Sequence, residues 1–258
     1  MCLARSGRRG SETPRRKAKR PTKKLTTASR SATMKVLLWD IDGTLLNTDR
    51  AGVCAWMEAA EEIHGGPLDA SRLTLAGMTD PLIAEITIDD LMERPGEYEI
   101  APRLLARYLE LLPDWLPRRG NGFVHRNVLD TLEALAPATD FEHALLTGNL
   151  EDGARQKLAH YGILDFFDWG AFADGLPLRR DIARRARSEA ESRHGENVEL
   201  YVIGDTPRDI DCGKAVGART IAVATGGATF DELVEHDPWW ALDHLPAAAE
   251  FAARLREG

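Results

Sequence analysis

The chain has 258 residues, 43% of them hydrophobic and six of them tryptophan, enough to fill a sizeable core in one large domain or a domain with an insertion. No apolar run comes near the about 18 residues of a membrane-spanning helix, which excludes that class. The net charge of −8 is unevenly spread: residues 1–33 carry eleven Lys and Arg against one acid, Glu12, which leaves 22 bases and 40 acids for the remainder.

Residues 1–33 are basic, rich in Ser and Thr and poor in apolar side chains, so they cannot bury enough surface to fold alone and read as a disordered tail. The tail's charge suits an arm that meets nucleic-acid phosphates without reading sequence, and its Arg and Ser content suits a transit peptide. The plainest reading takes Met34 as the true start, because the first strand begins immediately after it at Lys35. A buried strand is predicted at 35–39 (KVLLW). From 47 to 124 only helical patterns follow, at Ala51–His64, Thr79–Met92 and Glu97–Leu112. The stretch LPDWLPRRGNG closes them and punctuates a boundary or hinge. The chain returns through the helix VHRNVLDTLEALA. Strands HALLT (143–147), ELYVIG (199–204) and TIAVA (220–224) then alternate with helices. LEDGARQKLAHYG has Asn149 as N-cap and Gly162 as stop, PRDIDCGKAVG has Pro207 in its first turn, and PAAAEFAARLRE closes the chain. This alternation predicts an α/β fold with a parallel sheet, interrupted by an all-helical insertion. Cys2, Cys54 and Cys212 are odd in number, lack metal-ligand spacing and fit a reduced, cytoplasmic setting.

Three strands end in polar groups: Asp40-Ile41-Asp42-Gly43-Thr44, Thr147-Gly148-Asn149, and Gly204-Asp205-Thr206-Pro207-Arg208-Asp209. In a parallel α/β sheet the carboxyl ends of the strands share one edge, where ligands bind. Asp40, Asp42, Thr147, Asp205 and Asp209 should therefore converge. Four acids in one place repel each other unless a cation lies among them, and an all-oxygen donor set points to Mg²⁺. Singly, each group has a plainer role: Asp42-Gly43 as a turn, Thr147-Gly148-Asn149 as a strand-to-helix cap, Asp205 and Asp209 as caps on the helix at Pro207. His125, His143, His160 and His194 have no matching partners and read as structural or surface residues.

Together, DIDGT, LLTGN and GDTPRD, in this order and at strand ends, resemble the motifs of the haloacid dehalogenase (HAD) superfamily. The resemblance runs from about Lys35 to the C-terminus and takes in VATGG…FDEL and the helical insertion at the first cap position. It implies a Rossmann-like parallel-sheet core, residues 34–46 and 125–258, with an all-helical cap domain at 47–124. It also implies a Mg²⁺-dependent phosphatase similar to phosphoglycolate phosphatases. On that pattern Asp40 attacks phosphorus and forms an aspartyl-phosphate, and Asp42 protonates the leaving oxygen and then activates water. A strand repeats its facing every two residues, which would orient both carboxylates alike. Mg²⁺ would be held by Asp40, the Asp42 carbonyl and Asp205, with Asp209 as a further ligand or as the residue that orients Asp205. Gly43 and Thr44 would bring the backbone to the phosphate, Gly43 without a Cβ in the way. Thr147 would offer a hydroxyl, and the Gly148 and Asn149 amides at a helix start would suit an anion.

The family usually places a lysine before the third of these strands. Here none lies between Lys157 and Lys214. Arg179 or Arg180, just ahead of a helix starting near Asp181, would take that place, Arg179 by preference, since a guanidinium grips phosphate in bidentate fashion. A β-phosphoglucomutase-like phosphomutase would share every motif, and the missing lysine leaves open a non-catalytic phosphate-binding regulatory protein. Asp42 argues against a dehalogenase, and chain length and the insertion argue against a phospho-receiver domain. Gly77-Met78-Thr79-Asp80 reads either as a cap loop facing substrate or as a helix N-terminus. The expected partners are a small phosphorylated substrate, no membrane, and nucleic acid only non-specifically through the tail. Oligomeric state is left open.

Overall fold

A computed structural model describes residues 33–72 and 76–258; the expectation for the basic tail, Thr33 apart, lies outside the described residues. Strand β1 (Lys35–Trp39) leads to the two-residue β2 (Leu46–Asn47), helices α1 (Ala51–His64), α2 (Asp80–Ile86) and α3 (Ala101–Arg118), and β3 (Phe123–Val124). Next come α4 (Val128–Leu135), β4 (Phe141–Leu146), α5 (Glu151–His160), β5 (Gly170–Ala171), α6 (Arg179–His194), β6 (Glu199–Gly204) and α7 (Pro207–Ala215). Then β7 (Arg219–Val223), α8 (Phe230–Glu235), β8 (Trp240–Leu242) and α9 (Ala248–Glu257) complete the chain.

Six strands form one parallel sheet in the order β5-β4-β1-β6-β7-β8. In its middle, Leu38 pairs with Ala144 on one side and Val202 on the other. From β1 the chain builds one half of the sheet and then crosses to the other, so the strand order reverses at the end of β1. Such a reversal opens the crevice where ligands bind in this architecture. Alternate residues serve opposite faces. Leu37 and Trp39 join Leu145, Tyr201, Ile203 and Phe251 in one core, while Val36 and Leu38 join Leu146, Val202, Ile182 and Ala186 in the other. Helices cover both faces, which is why the strands read as unbroken apolar runs. Each leucine buried there contributes about 1.5–3 kcal/mol. His143 belongs to the first face, where its Nδ1 accepts the Trp39 indole N–H at 3.1 Å.

The helical insertion has a core of its own. Ala51, Ala55 and Ala59 of α1 let α3 approach closely, and Trp56, Ile83, Ile88, Leu104, Tyr108 and Leu112 fill the space between the helices. Its ends are joined by an antiparallel ribbon, Leu46 opposite Val124 and Asn47 opposite Phe123, where no strand was expected; two residues are too few to show a period. Most of the proline-rich stretch is helical. Helix α3 runs through Pro113 and Pro117 to Arg118. Pro113 cannot donate to the Leu109 carbonyl, and that carbonyl takes the Gln156 side-chain N–H instead at 3.2 Å. Buried Leu111, Leu112 and Leu116 hold the rest of the turn.

Smaller differences have local causes. α2 passes into a π-helical turn at Thr87–Leu91 instead of continuing as one α-helix to Met92. β5 and β8 are too short to be read from the sequence. The N-cap of α5 is Leu150 rather than Asn149, whose side chain is drawn elsewhere. His194 does have a partner, because its Nε2 pairs with the Glu142 carboxylate. Among the described residues, no helix is long and apolar enough to cross a membrane, and Cys54 and Cys212 are free.

Candidate active site

The ends of β1 and β6 bring three acids together. The Asp40 amide extends the ladder one residue past β1 by donating to the Ile203 carbonyl at 2.9 Å. Carboxylate oxygens of Asp40, Asp205 and Asp209 lie within 4.8 Å of one another, and all three residues are buried. Arg179, the first residue of α6, is buried against them. Its Nη2 is 3.0 Å from Asp40 Oδ1 and also pairs with Asp209 Oδ1. The other Asp209 oxygen accepts the Thr206 amide at 3.1 Å and the Thr206 hydroxyl at 2.6 Å, which fixes the start of α7.

Asp205 is confined more tightly still. Thr44 donates to its Oδ1 at 3.3 Å and the Gly227 amide to its Oδ2 at 2.9 Å. A Cβ on Gly43 would stand 2.5 Å from Asp205 Oδ2, and one on Gly226 would stand 1.9 Å from it. Gly43 also has φ +83°, in the left-handed region that glycine enters without a Cβ penalty.

Burial raises the Asp40 carboxyl above its ordinary range against the opposing pull of Arg179, and burial with repulsion from Asp209 and Asp40 raises Asp205. Burial alone would lower Arg179, but Asp209 and Asp40 outweigh it and hold the guanidinium charged. Three carboxylates and one guanidinium leave a formal charge of −2, which one divalent cation offsets. The residues therefore fit a hard divalent ion held by oxygen donors.

Asp42, expected among the metal ligands, does not join this cluster with its side chain. Its Oδ2 accepts Lys157 Nζ at 2.5 Å and Asn149 Nδ2 at 3.0 Å. Lys157 also donates to Asn149 Oδ1 at 2.6 Å, and Asn149 Nδ2 reaches Thr147 Oγ1 at 2.8 Å. β1 has ended by Asp42, which sits in an isolated bridge to Leu46, so the strand rule that would orient it like Asp40 no longer applies. The Asp42 side chain is 44% exposed and that of Lys157 5%. Burial would lower the Lys157 ammonium, but Asp42, Tyr108 and Asp80 outweigh it and hold its pKa above the ordinary value. Thr147 is buried beneath the network, and its amide donates to Ala171 at 3.2 Å.

The segment Gly77–Asp80 of the insertion rests on the strand ends. The Asp80 amide donates to the Gly148 carbonyl at 2.7 Å, and Asp80 Oδ2 accepts the Leu150 amide at 2.8 Å, capping α5 from outside. Thr79 Oγ1 donates to the Pro177 carbonyl at 2.6 Å. A Cβ on Gly148 would stand 2.3 Å from the Met78 carbonyl, so only glycine fits the junction. Burial, opposed by Lys157, pushes the Asp80 carboxyl up to about 6. Between the segment and the strand ends lies a cavity of about 270 Å³, lined by Asp40, Asp42, Gly43, Asn149, Arg179 and Asp205 on one side and by Trp56, Met78, Ile83 and Tyr108 of the insertion on the other.

The structure thus gathers Asp40, Asp205, Asp209, Arg179 and Thr44 in one cluster and Asp42, Asn149 and Thr147 in an adjoining one. Arg180 is exposed and stands apart, and α6 starts at Arg179, two residues before the expected point. Lys157 was missed by the sequence reading, although Gly153, Ala154 and Leu158 put it on the buried stripe of α5. A lysine on an apolar face is the signal that would have found it.

Comparison with known proteins agrees with this geometry. The model of the haloacid dehalogenase-like hydrolases matches residues 37–214. A phosphoglycolate phosphatase of Cereibacter sphaeroides is 28% identical over 220 residues, 83% of this chain and 96% of that one. A phosphoglycolate phosphatase of Vibrio vulnificus is 25% identical over 216 residues, 82% of this chain and 93% of that one. The crystal structure of a HAD hydrolase, family IA, variant 3, from Entamoeba histolytica superposes with a TM-score of 0.66 at 20% identity, covering 87% of this chain and all of that one. With a match across most of its length and the three acids gathered at the strand ends, this chain belongs to the haloacid dehalogenase-like hydrolase family.

Proposed function

We propose that the chain is a Mg²⁺-dependent phosphatase that hydrolyses a small phosphorylated metabolite through an aspartyl-phosphate on Asp40. The observation that carries this reading is the buried cluster of Asp40, Asp205 and Asp209 with Arg179, opening into a cavity of about 270 Å³. The names of the curated relatives support the same reaction class.

Asp40 is the nucleophile, with its backbone held in the sheet ladder and its carboxylate beside Arg179. Arg179 orients that carboxylate and contacts the phosphoryl oxygens, the part the family gives to a lysine. Asp40 and Asp205, with Asp209 and the Asp42 carbonyl, would hold the Mg²⁺. When bound, the ion neutralises charge between nucleophile and phosphate. Asp42 hands a proton to the leaving oxygen and later takes one from water. Both its hydrogen bonds fall on Oδ2, which leaves Oδ1 for the proton. Gly43, Thr44, Gly148 and Asn149 let the backbone approach the phosphate. The insertion, residues 47–124, acts as a cap that excludes bulk water and large substrates, and Cys54 and Cys212, free among the described residues, suit a cytoplasmic enzyme.

The test is hydrolysis of p-nitrophenyl phosphate by the purified chain with Mg²⁺ and after chelation. Turnover that requires the metal supports the reading. Absence of turnover with metal present, on p-nitrophenyl phosphate and acetyl phosphate alike, refutes it.

A further inference from the structure

We propose that the substrate's leaving group carries no carboxylate: the site takes the phosphomonoester of an uncharged alcohol with an apolar portion. This rests on the phosphatase reading and narrows it, in a direction opposite to the name of the two phosphoglycolate phosphatases above.

The argument is a count of what a second anionic group would meet. Among the described residues lining the cavity, the only cations are Lys157 and Arg179. Arg179 pairs with Asp40 and Asp209 through Nη2, and its remaining donors are assigned to the phosphoryl group. The Lys157 ammonium has three N–H groups. One is taken by Asp42 Oδ2, one by Asn149 Oδ1, and the Tyr108 hydroxyl lies beside the third. Against them stand four acids in the lining, Asp40, Asp42, Asp80 and Asp205.

Beyond the phosphate position the wall comes from the insertion and is mainly apolar: Val53, Trp56, Met78 and Ile83. The indole N–H of Trp56 is turned away to Thr87 Oγ1 at 3.0 Å, so Trp56 offers its ring rather than a donor. Among the described residues, a carboxylate placed there would lose its water, find no cation that is not already paired with an acid, and face Asp80 and Asp42, an arrangement that disfavours the charged form strongly. Drawing Lys157 onto the substrate would strip Asp42 and Asn149 of their partner. A hydroxyl, in contrast, finds acceptors in Asp42 and Asn47, and an alkyl or aryl group packs on Trp56.

The experiment compares kcat/KM of the full chain, with Mg²⁺, on 2-phosphoglycolate, on 2-hydroxyethyl phosphate, which replaces the carboxylate by a neutral group at the same length, and on phenyl phosphate. Acetyl phosphate serves as an activated donor that reports phosphoryl transfer regardless of leaving-group recognition. The two neutral substrates are expected to exceed phosphoglycolate by about 100-fold, comparable to the discrimination of an apolar pocket against an added polar group. A ratio below about tenfold, or a preference for phosphoglycolate, overturns the inference while the phosphatase reading stands. Inactivity on all four compounds overturns that reading and this inference with it.

Discussion

Replacing Lys157 by Met keeps an unbranched side chain on the buried stripe of α5 and removes the ammonium. Asp42 then loses a partner at 2.5 Å and Asn149 one at 2.6 Å. Two effects on stability oppose each other. The desolvation cost of a buried ammonium disappears, while the Asp42 carboxylate loses its counter-ion. Breaking a fully buried pair costs about 3–5 kcal/mol. Here the Asp42 side chain is 44% exposed, so water can take over much of the solvation, and a loss of about 1–2 kcal/mol is expected after screening. For a folded chain of this size that lowers Tm by about 2–8 °C. Turnover should suffer more, because Asp42 and Asn149 are no longer held in place; losing a positioning partner costs about 10–100-fold. Calorimetry gives the Tm, and steady-state hydrolysis of p-nitrophenyl phosphate gives the turnover. A folded Lys157→Met variant with turnover within about twofold of wild type would refute the reasoning, and Lys157 would then be a packing residue only.

Arg179→Ala should reduce turnover by about 10²-fold, comparable to losing one preorganised donor, and Arg179→Lys should recover part of it. Arg180→Ala should change turnover less than about twofold, and a larger effect than Arg179→Ala would contradict the buried pair with Asp40. Gly226→Ala places a Cβ 1.9 Å from Asp205 Oδ2, so its Mg²⁺ activation curve should move to higher concentration; an unshifted curve in a folded variant would contradict the confinement of Asp205. Burial pushes the His143 pKa down to about 4, so between there and the ordinary value of about 6.5 the unfolded chain binds more protons than the folded one. That contribution is intact above about pH 6.5 and is lost as pH falls through 4, at most about 3 kcal/mol. Urea melts from pH 7 to 4 should show the loss, and His143→Gln, which keeps an acceptor for Trp39, should flatten the profile. An equally steep profile in the variant would assign the acid sensitivity to other groups.

Parts of the fold were legible because the sheet is buried on both faces. Val36 to Trp39 and Leu200 to Ile203 have no solvent-facing position, so they read as apolar runs with abrupt polar ends, and those ends form the candidate site. Asp40, Asp205 and Asp209 came together for the same reason, since parallel strands share one carboxyl edge. What the sequence hid lies where tertiary contacts override local pattern. Helix α3 continues through two prolines because Gln156, from another helix, satisfies the freed carbonyl. The two residues each of β2, β3 and β5 carry no measurable period. Asp80 read equally as part of a cap loop facing substrate or as a helix N-terminus, and neither reading showed that it caps a different helix, α5. Lys157 stands two turns along α5, where an exposed lysine is the commoner case, and only the burial of Gly153 and Ala154 beside it marks that face as inward.

The proposed covalent role of Asp40 is tested most directly by trapping. Wild-type protein is quenched in acid during turnover of p-nitrophenyl phosphate with Mg²⁺, and the peptide that spans WDIDGT is sequenced by mass spectrometry. The account predicts a phosphoryl group on Asp40, none on that peptide in Asp40→Asn, and a fall in that variant's turnover that can reach about 10⁶-fold. A phosphoryl group on another residue, or an Asp40→Asn variant that keeps a tenth or so of wild-type turnover, would contradict it.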